Sequence, residues 1–166
     1  LNGPAGSLNA RSADGIDRAL VLTGAGDGSL ATDFSNAASF TKSGAGVWTF
    51  AVAQNYAVET ALNGGTLRAG VANAFSSFST VRLADVAGAT LDLNGTIQSV
   101  AALEGAGAAG GAVLLGADGE LTVGANTAFG GAVSGSGTSK LIKTGNATFT
   151  MGPTSALTGT VAVNVN

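Results

Sequence analysis

The sequence predicts an all-β fold made of many short strands. Runs of three to six β-branched or apolar residues recur along the chain, and turns rich in Gly and Asn separate them. Helix patterns are nearly absent, and the best one, at 69–77, is short. Short strands with a turn every eight to twelve residues are typical of a sandwich, a barrel or a β-solenoid.

Each strand is predicted where Val, Thr and Leu cluster between turns. In chain order the predicted strands are 20–22, 47–52, 81–83, 90–93, 113–115, 121–123 and 160–165. The predicted turns are Asn63-Gly64-Gly65, Asn94-Gly95, Asp118-Gly119 and Gly130-Gly131. Alternation along a strand buries one of its sides, so we expect these residues to point inward: Trp48, Phe50, Leu91, Leu93, Phe149 and Met151.

Composition excludes several classes of protein. The 166 residues include 27 Gly but no Cys and no His, so disulfide scaffolds, thiolate or imidazole metal sites and catalysis by either side chain are excluded. The formal net charge is −3, and the seven Lys and Arg residues are scattered. A nucleic-acid interface needs clustered positive charge, so we expect no nucleic-acid partner. No apolar run is long enough for a membrane helix.

Internal repetition favours the solenoid among these folds. The run Phe40-Thr41-Lys42-Ser43-Gly44 returns 101 residues later as Leu141-Ile142-Lys143-Thr144-Gly145. Trp48-Thr49-Phe50 returns at the same offset as Phe149-Thr150-Met151. Units that repeat in this way bury one face only by stacking on their neighbours.

The run at 40–67 resembles the autotransporter-associated β-strand repeat, which is found in passenger domains of bacterial type V secreted proteins. The segment 89–107 resembles the linker that follows such a repeat, and 121–137 with 143–165 resembles a second round. The second round lacks the family's aromatic residue near Leu157 and its closing Gly-Thr-Leu. The residues that fit the repeat are Lys42, Gly44, Gly46, Trp48, Phe50, Tyr56, Gly65, Thr66 and Leu67.

This resemblance implies a right-handed parallel β-helix, which is a β-solenoid. At about 20 residues per rung and ~4.8 Å between strands, the chain makes roughly eight rungs. We therefore divide it into an N-terminal cap or strand of unclear role at 1–18 and a solenoid segment at 19–166, with related repeats at 40–67 and 141–165. Because the first Met is Met151, we expect the chain to be part of a longer product.

Acidic pairs are the candidate catalytic residues, because many β-helices are polysaccharide hydrolases or lyases. The candidate pairs are Asp85 with Asp92 and Asp118 with Glu120, and the basic residues for a lyase-type cleft are Arg68 and Arg82. Ten acids in 166 residues form such pairs by chance. We therefore assign no catalytic, cofactor-binding or metal-binding residue.

Two glycine-rich motifs are interpreted as turns. Residues 105–110 match G-x-G-x-x-G, but a strand follows them where a dinucleotide site needs a helix, so we predict a corner loop. Residues 24–28 resemble part of a calcium-binding nonapeptide but occur once, whereas such sites need consecutive turns. Asp27 is therefore predicted to cap its own turn, and Asp33 to be solvated.

The recurring lysines and two sequons also have simple interpretations. Lys42 and Lys143 are predicted to be outward charges that discourage edge pairing, with ligand contact as the alternative. The sequons at Asn94 and Asn146 are interpreted as coincidence in a bacterial protein, and Asn94-Gly95 as a corner.

These observations favour a non-catalytic extracellular segment of a bacterial autotransporter-like surface protein, acting as a stalk or an adhesive scaffold. One alternative is a subunit that stacks end to end into a filament, since open solenoid ends have unpaired backbone groups. The second is a glycan-binding or glycan-cleaving β-helix. Expected partners are neighbouring β-helix segments or copies of the chain, with host-cell surfaces or glycans as further candidates. We expect no cofactor, no membrane insertion, and a location outside the cell or on the outer-membrane surface.

Overall fold

The computed structural model describes residues 18–34, 37–125, 127–146 and 148–152, which form sixteen β-strands and no helix. Every strand pairing among them is parallel. The strands are β1 (Ala19–Leu22), β2 (Gly28–Leu30), β3 (Ser39–Lys42), β4 (Val47–Phe50), β5 (Thr60–Leu62), β6 (Thr66–Ala69), β7 (Thr80–Leu83), β8 (Thr90–Asp92), β9 (Ile97–Val100), β10 (Ala102–Gly105), β11 (Ala112–Ala117), β12 (Glu120–Val123), β13 (Thr127–Phe129), β14 (Ala132–Ser136), β15 (Lys140–Lys143) and β16 (Phe149–Met151).

The strands stack into three sheets that form the sides of a parallel β-solenoid of about six turns. The seven-stranded sheet has the order β1-β3-β5-β7-β10-β13-β16, the six-stranded sheet β2-β4-β6-β8-β11-β14, and the three-stranded sheet β9-β12-β15. The predicted fold class is therefore confirmed. The number of turns is below the expected eight because turn length varies, and because 1–17 and 153–166 lie outside the described residues.

Turn length varies because the loops differ while the strands stay in register. Val47 pairs with Thr66, 19 residues on, whereas Thr66 pairs with Thr90, 24 residues on. Three of the longer turn's five extra residues lie in the loop at 84–89, between β7 and β8, which has six residues where the loop at 63–65 has three. The short helix pattern at 69–77 forms no helix, because β6 ends at Ala69 and the loop at 70–79 follows it.

In the turns whose third side has no strand, buried glutamines bind the backbone of the loops that form that side. In the turns before β9 this side consists of loops such as 51–59 and 71–79. Gln54 Oε1 accepts the backbone N–H of Phe34 at 3.2 Å, and Gln98 Oε1 accepts that of Phe75 at 3.0 Å. Gln98 Nε2 donates to the carbonyl of Val71 at 2.8 Å. These amides replace part of a strand ladder, because buried backbone groups need partners.

The core changes character along the axis. In the first turns it is aromatic, with the ring of Phe34 5.3 Å from that of Phe40 and 4.9 Å from that of Tyr56. In the later turns it is mostly aliphatic, as in the register column of Leu91, Val113 and Val133, although Phe129 is buried there too. Each turn thus packs its inward side chains on those of the turns above and below it.

Half of the predicted inward residues are fully buried, and the rest pack at the edge of the core. Phe50, Leu91 and Leu93 are buried, whereas Trp48, Phe149 and Met151 are partly buried against them. Trp48 pairs with Gly28 in the preceding turn. A Cβ on Gly28 would lie 2.8 Å from the indole, so this glycine makes room for the ring.

The predicted strands at 20–22, 47–52, 81–83, 90–93, 113–115 and 121–123 overlap β1, β4, β7, β8, β11 and β12. The predicted strand at 160–165 lies outside the described residues, as do the 1–17 part of the predicted cap and the end of the second repeat. The filament alternative depends on those ends and stays a prediction. Predicted turn residues adopt positive φ: Gly65 65°, Asn94 52°, Gly95 74° and Asp118 61°.

The two rounds of the 101-residue repeat occupy different faces. In the first round β3 belongs to the seven-stranded sheet and β4 to the six-stranded sheet. In the second round β15 belongs to the three-stranded sheet and β16 to the seven-stranded sheet. The repeat is therefore a strand–corner–strand unit that forms different corners of the solenoid.

Candidate functional site

Lys42 points into the solenoid, so the prediction of an outward charge is wrong. Its side chain is 0% exposed, because position 42 belongs to an inward register column between Leu22 and Leu62. Lys42 Nζ donates to the carbonyls of Ser43 at 3.1 Å, Gly44 at 2.8 Å and Gly64 at 3.1 Å. Burial lowers the pKa of Lys42, while the nearby charge of Asp27 acts in the opposite direction.

Lys143 is also buried, and the same prediction is wrong for it. It pairs with Val123 in the inward column of the three-stranded sheet. Its Nζ donates to the carbonyls of Gly124, at 2.8 Å, and Thr144. Both recurring lysines therefore bind corner carbonyls of their own and a neighbouring turn, and neither is positioned as an outward ligand contact.

Corner aspartates bind the backbone of the following turn. Asp27 Oδ1 accepts the N–H of Val47 at 2.7 Å, so Asp27 caps the next turn rather than its own. Asp118 Oδ1 accepts both the N–H of Thr138, at 2.7 Å, and its hydroxyl, at 2.8 Å. These hydrogen bonds stabilise the carboxylate and hold the pKa of Asp118 below its usual value. Asp33 is exposed, as predicted.

The glycine-rich segment 105–110 begins at the last residue of β10 and continues as the corner loop that leads to β11, as predicted. Asp85 Oδ1 accepts the N–H groups of Ala109 and Gly110, each at 2.9 Å. Backbone amides of this kind hold phosphate in nucleotide sites. Here they hold a carboxylate of the same chain, which leaves the motif with a structural role.

The predicted acidic pairs are bound to different partners. Asp92 accepts from Arg68 Nε at 2.7 Å and from the N–H of Asn94 at 2.8 Å, whereas Asp85 binds the glycine-rich loop. Glu120 lies 3.7 Å from Lys140 on the neighbouring strand.

Arg82 bridges carboxylates on both neighbouring turns. It lies 3.1 Å from Glu59 of the preceding turn and 2.6 Å from Glu104 of the following turn, on the outer face of the seven-stranded sheet. Across the described residues, no three acidic side chains cluster as candidate metal ligands.

A chain of buried hydroxyls was missed by sequence reasoning. Tyr56 OH lies 2.7 Å from Thr60 Oγ1, which lies 2.8 Å from Ser79 Oγ. Ser79 Oγ donates to the carbonyl of Val58 at 2.5 Å. Burial raises the pKa of the Tyr56 phenol. Thr and Ser also favour exposed strands and loops, so nothing in the sequence marked these residues as a network.

Two surface grooves flank the loop that joins β7 to β8. One, of 310 Å³, is lined by glycine and alanine, and the other, of 510 Å³, adds Asn63, Thr66, Val86 and Thr90. Neither groove is lined by a charged side chain.

The first sequon lies at a corner, as predicted, with Thr96 Oγ1 donating to the Leu93 carbonyl at 2.6 Å. The second contains Ala147, which is outside the described residues. In the described part of the chain, no helix is both long enough and apolar enough to span a membrane.

No family model matches the chain, and no solved structure matches it. The chain is similar to a protein named adhesin BmaC autotransporter, from Brucella suis biovar 1. The two are 33% identical over an alignment of 163 residues, which covers 89% of this chain and 5% of the relative. The chain thus spans about one twentieth of that protein's length. The resemblance found in the sequence is confirmed, since both this similarity and the parallel β-solenoid fit a segment of an autotransporter passenger domain.

Proposed function

We propose that the chain is a non-catalytic stalk segment of a bacterial surface adhesin, located outside the cell or on the outer-membrane surface. In this role it sets the distance between the membrane and more distal binding elements. The similarity to an autotransporter adhesin supports the setting. The structure supports the mechanical role through the way in which its polar side chains are used.

One observation carries this proposal: polar side chains at the corners join successive turns. Lys42, Asp27, Asp85 and Asp118 each bind the backbone of an adjacent turn. Gln54 does the same on the third side. A stalk has to resist separation of its turns, and bonds of this kind add to the ladder hydrogen bonds. A catalytic cleft would instead direct such groups toward a shared point.

Host-cell binding distinguishes a stalk from an adhesive surface. Beads coated with the purified, folded chain would be added to epithelial cells. Control beads would carry the chain after it has been denatured in urea and crosslinked so that it cannot refold. For a stalk, folded and denatured coatings bind equally weakly, and soluble chain does not compete with the parent adhesin. Saturable binding by the folded chain alone, blocked by soluble chain, contradicts the proposal. Binding that is lost after glycosidase treatment of the cells would favour the glycan-binding alternative.

A further inference from the structure

We propose that Asn63 is a self-modification site at which the folded chain deamidates. The backbone nitrogen of Gly64 attacks Asn63 Cγ, and the new N–C bond closes a succinimide ring. The Cγ–Nδ2 bond breaks, and ammonia leaves with the proton from the Gly64 nitrogen. Water then opens the ring to aspartate or isoaspartate, so water is the sole co-reactant. This inference does not depend on the proposed stalk function.

The chain contains a matched pair of sites for this reaction. Asn63-Gly64 and Asn94-Gly95 both follow a leucine, both lie at corners, and both asparagines are exposed. Glycine after asparagine favours the attack because no side chain shields its nitrogen. A further Asn-Gly pair, at 2–3, lies outside the described residues.

Asn94-Gly95 is held in place by hydrogen bonds. The Gly95 N–H, the group that would have to attack, donates to the carbonyl of Leu115 at 3.0 Å. Asn94 Nδ2 lies 3.4 Å from the carbonyl of Ala69, and the Asn94 N–H donates to Asp92 Oδ1 at 2.8 Å. Ring closure at Asn94 therefore requires the corner to open first.

Asn63-Gly64 lacks these restraints. Neither the Gly64 N–H nor the Asn63 side-chain amide has a hydrogen-bond partner among the described residues. Both residues line the 510 Å³ groove beside Gly44 and Ala45, which is open to water. The Asn63 N–H does donate to the carbonyl of Lys42 at 2.8 Å, but that nitrogen takes no part in ring closure.

The modification would disturb the corner whose backbone carbonyls bind Lys42. The Gly64 carbonyl accepts from Lys42 Nζ at 3.1 Å. An isoaspartate at 63 inserts one methylene into the backbone just before Gly64, which displaces this carbonyl from the buried ammonium. We therefore expect the isoaspartate form to unfold at a lower temperature than the unmodified chain.

Peptide mapping by mass spectrometry tests the proposal on the intact chain. After incubation of the folded protein at mildly alkaline pH, Asn63 should deamidate faster than Asn94 by roughly fivefold or more, the factor that one net hydrogen bond is worth. In denaturant the two rates should converge, because the flanking residues are nearly the same.

A glycine variant provides the control. Gly64→Ala should retain the fold, since its Cβ would lie 3.7 Å from the nearest atoms of Gly44 and no positive φ is required there. It should slow deamidation at Asn63 several-fold and leave Asn94 unchanged, with the fold checked by circular dichroism. Equal or slower reaction at Asn63 than at Asn94 in the folded wild-type chain would overturn the proposal. So would a folded Gly64→Ala variant that reacts as fast as the wild type.

Discussion

The buried lysines show how one residue stabilises a solenoid corner. Burial of an ammonium group is costly unless its donors are paired. Lys42 has three N–H donors and three carbonyl acceptors, at Ser43, Gly44 and Gly64. The corner carbonyls gain partners that the strand ladder does not provide, and the ammonium gains replacements for water.

Replacement of Lys42 tests this account. Lys42→Met keeps the aliphatic length but leaves three carbonyls without their donor, so we expect the free energy of unfolding to fall by about 2 kcal/mol. Lys140→Met is the matched control, because its half-exposed side chain makes only a surface ion pair with Glu120. Its effect should be about 0.5 kcal/mol or less. Equal losses in urea unfolding would contradict a stabilising role for the buried ammonium.

Two adjacent glycines at the same corner should respond differently to substitution. Gly65 has φ of 65°, and a Cβ there would clash with the carbonyl of Gly44 and lie 2.7 Å from Lys42 Nζ. We expect Gly65→Ala to lower the free energy of unfolding by about 2 kcal/mol or more, from left-handed strain and the displaced lysine. Gly64→Ala should change it by less than about 1 kcal/mol. Thermal melting of both variants is the measurement, and similar melting temperatures would contradict this reading of the corner.

At the level of elements, the corners rather than the strands distinguish one turn from the next. The strands are three to six residues long, and all pair in parallel. Asp118 follows β11, and its partner Thr138 lies between β14 and β15. This carboxylate therefore links two successive corners on the same side of the solenoid.

Acid should weaken the Asp118 link. The folded-state pKa of Asp118 is below its unfolded value, so its stabilisation is present above about pH 4 and is lost as pH falls through the lower, folded-state pKa. Asp118→Asn should be less stable than the wild type at neutral pH, with the difference shrinking in strong acid. Unfolding curves at both pH values check this, with Asp33→Asn as an exposed control. A difference that stays constant or grows on acidification would contradict the sign.

At the level of the whole molecule, stability is distributed along the axis, because each turn contacts mainly its neighbours. Removal of a whole turn should then be tolerated, provided that each remaining strand stays on its own side of the solenoid. Ala112 pairs with Ala132, so deletion of 112–131 joins Gly111 to Ala132 and restores pairing with β8.

We expect the chain lacking 112–131 to unfold cooperatively, with its free energy of unfolding reduced by about the share of one turn. Deletion of only 112–121 removes about half a turn, which places the following strands and corners on the wrong sides of the solenoid, and should abolish the cooperative transition. Circular dichroism during thermal melting distinguishes the two. If both deletion variants unfold alike, cooperative folding does not require each strand to stay on its own side of the solenoid.

Local sequence determined the short strands, the corners at Asn63-Gly64-Gly65 and Asn94-Gly95, and the inward side of Phe50 and Leu91. These features depend on alternation and on φ preferences, which act over a few residues. The order of the motifs in the sequence also carried the resemblance to autotransporter passenger domains, which the similarity to the Brucella adhesin supports.

The tertiary structure alone decided which faces the repeats occupy and where the polar groups lie. The face of a strand depends on the summed length of all preceding loops, and turns range from 19 to 24 residues, so a 101-residue repeat moves to another corner. Lys42 appeared outward in the sequence because charge favours water, but its register column lies inward. Its partners Gly44 and Gly64 belong to different turns, and a contact of that kind exists only after the turns have stacked.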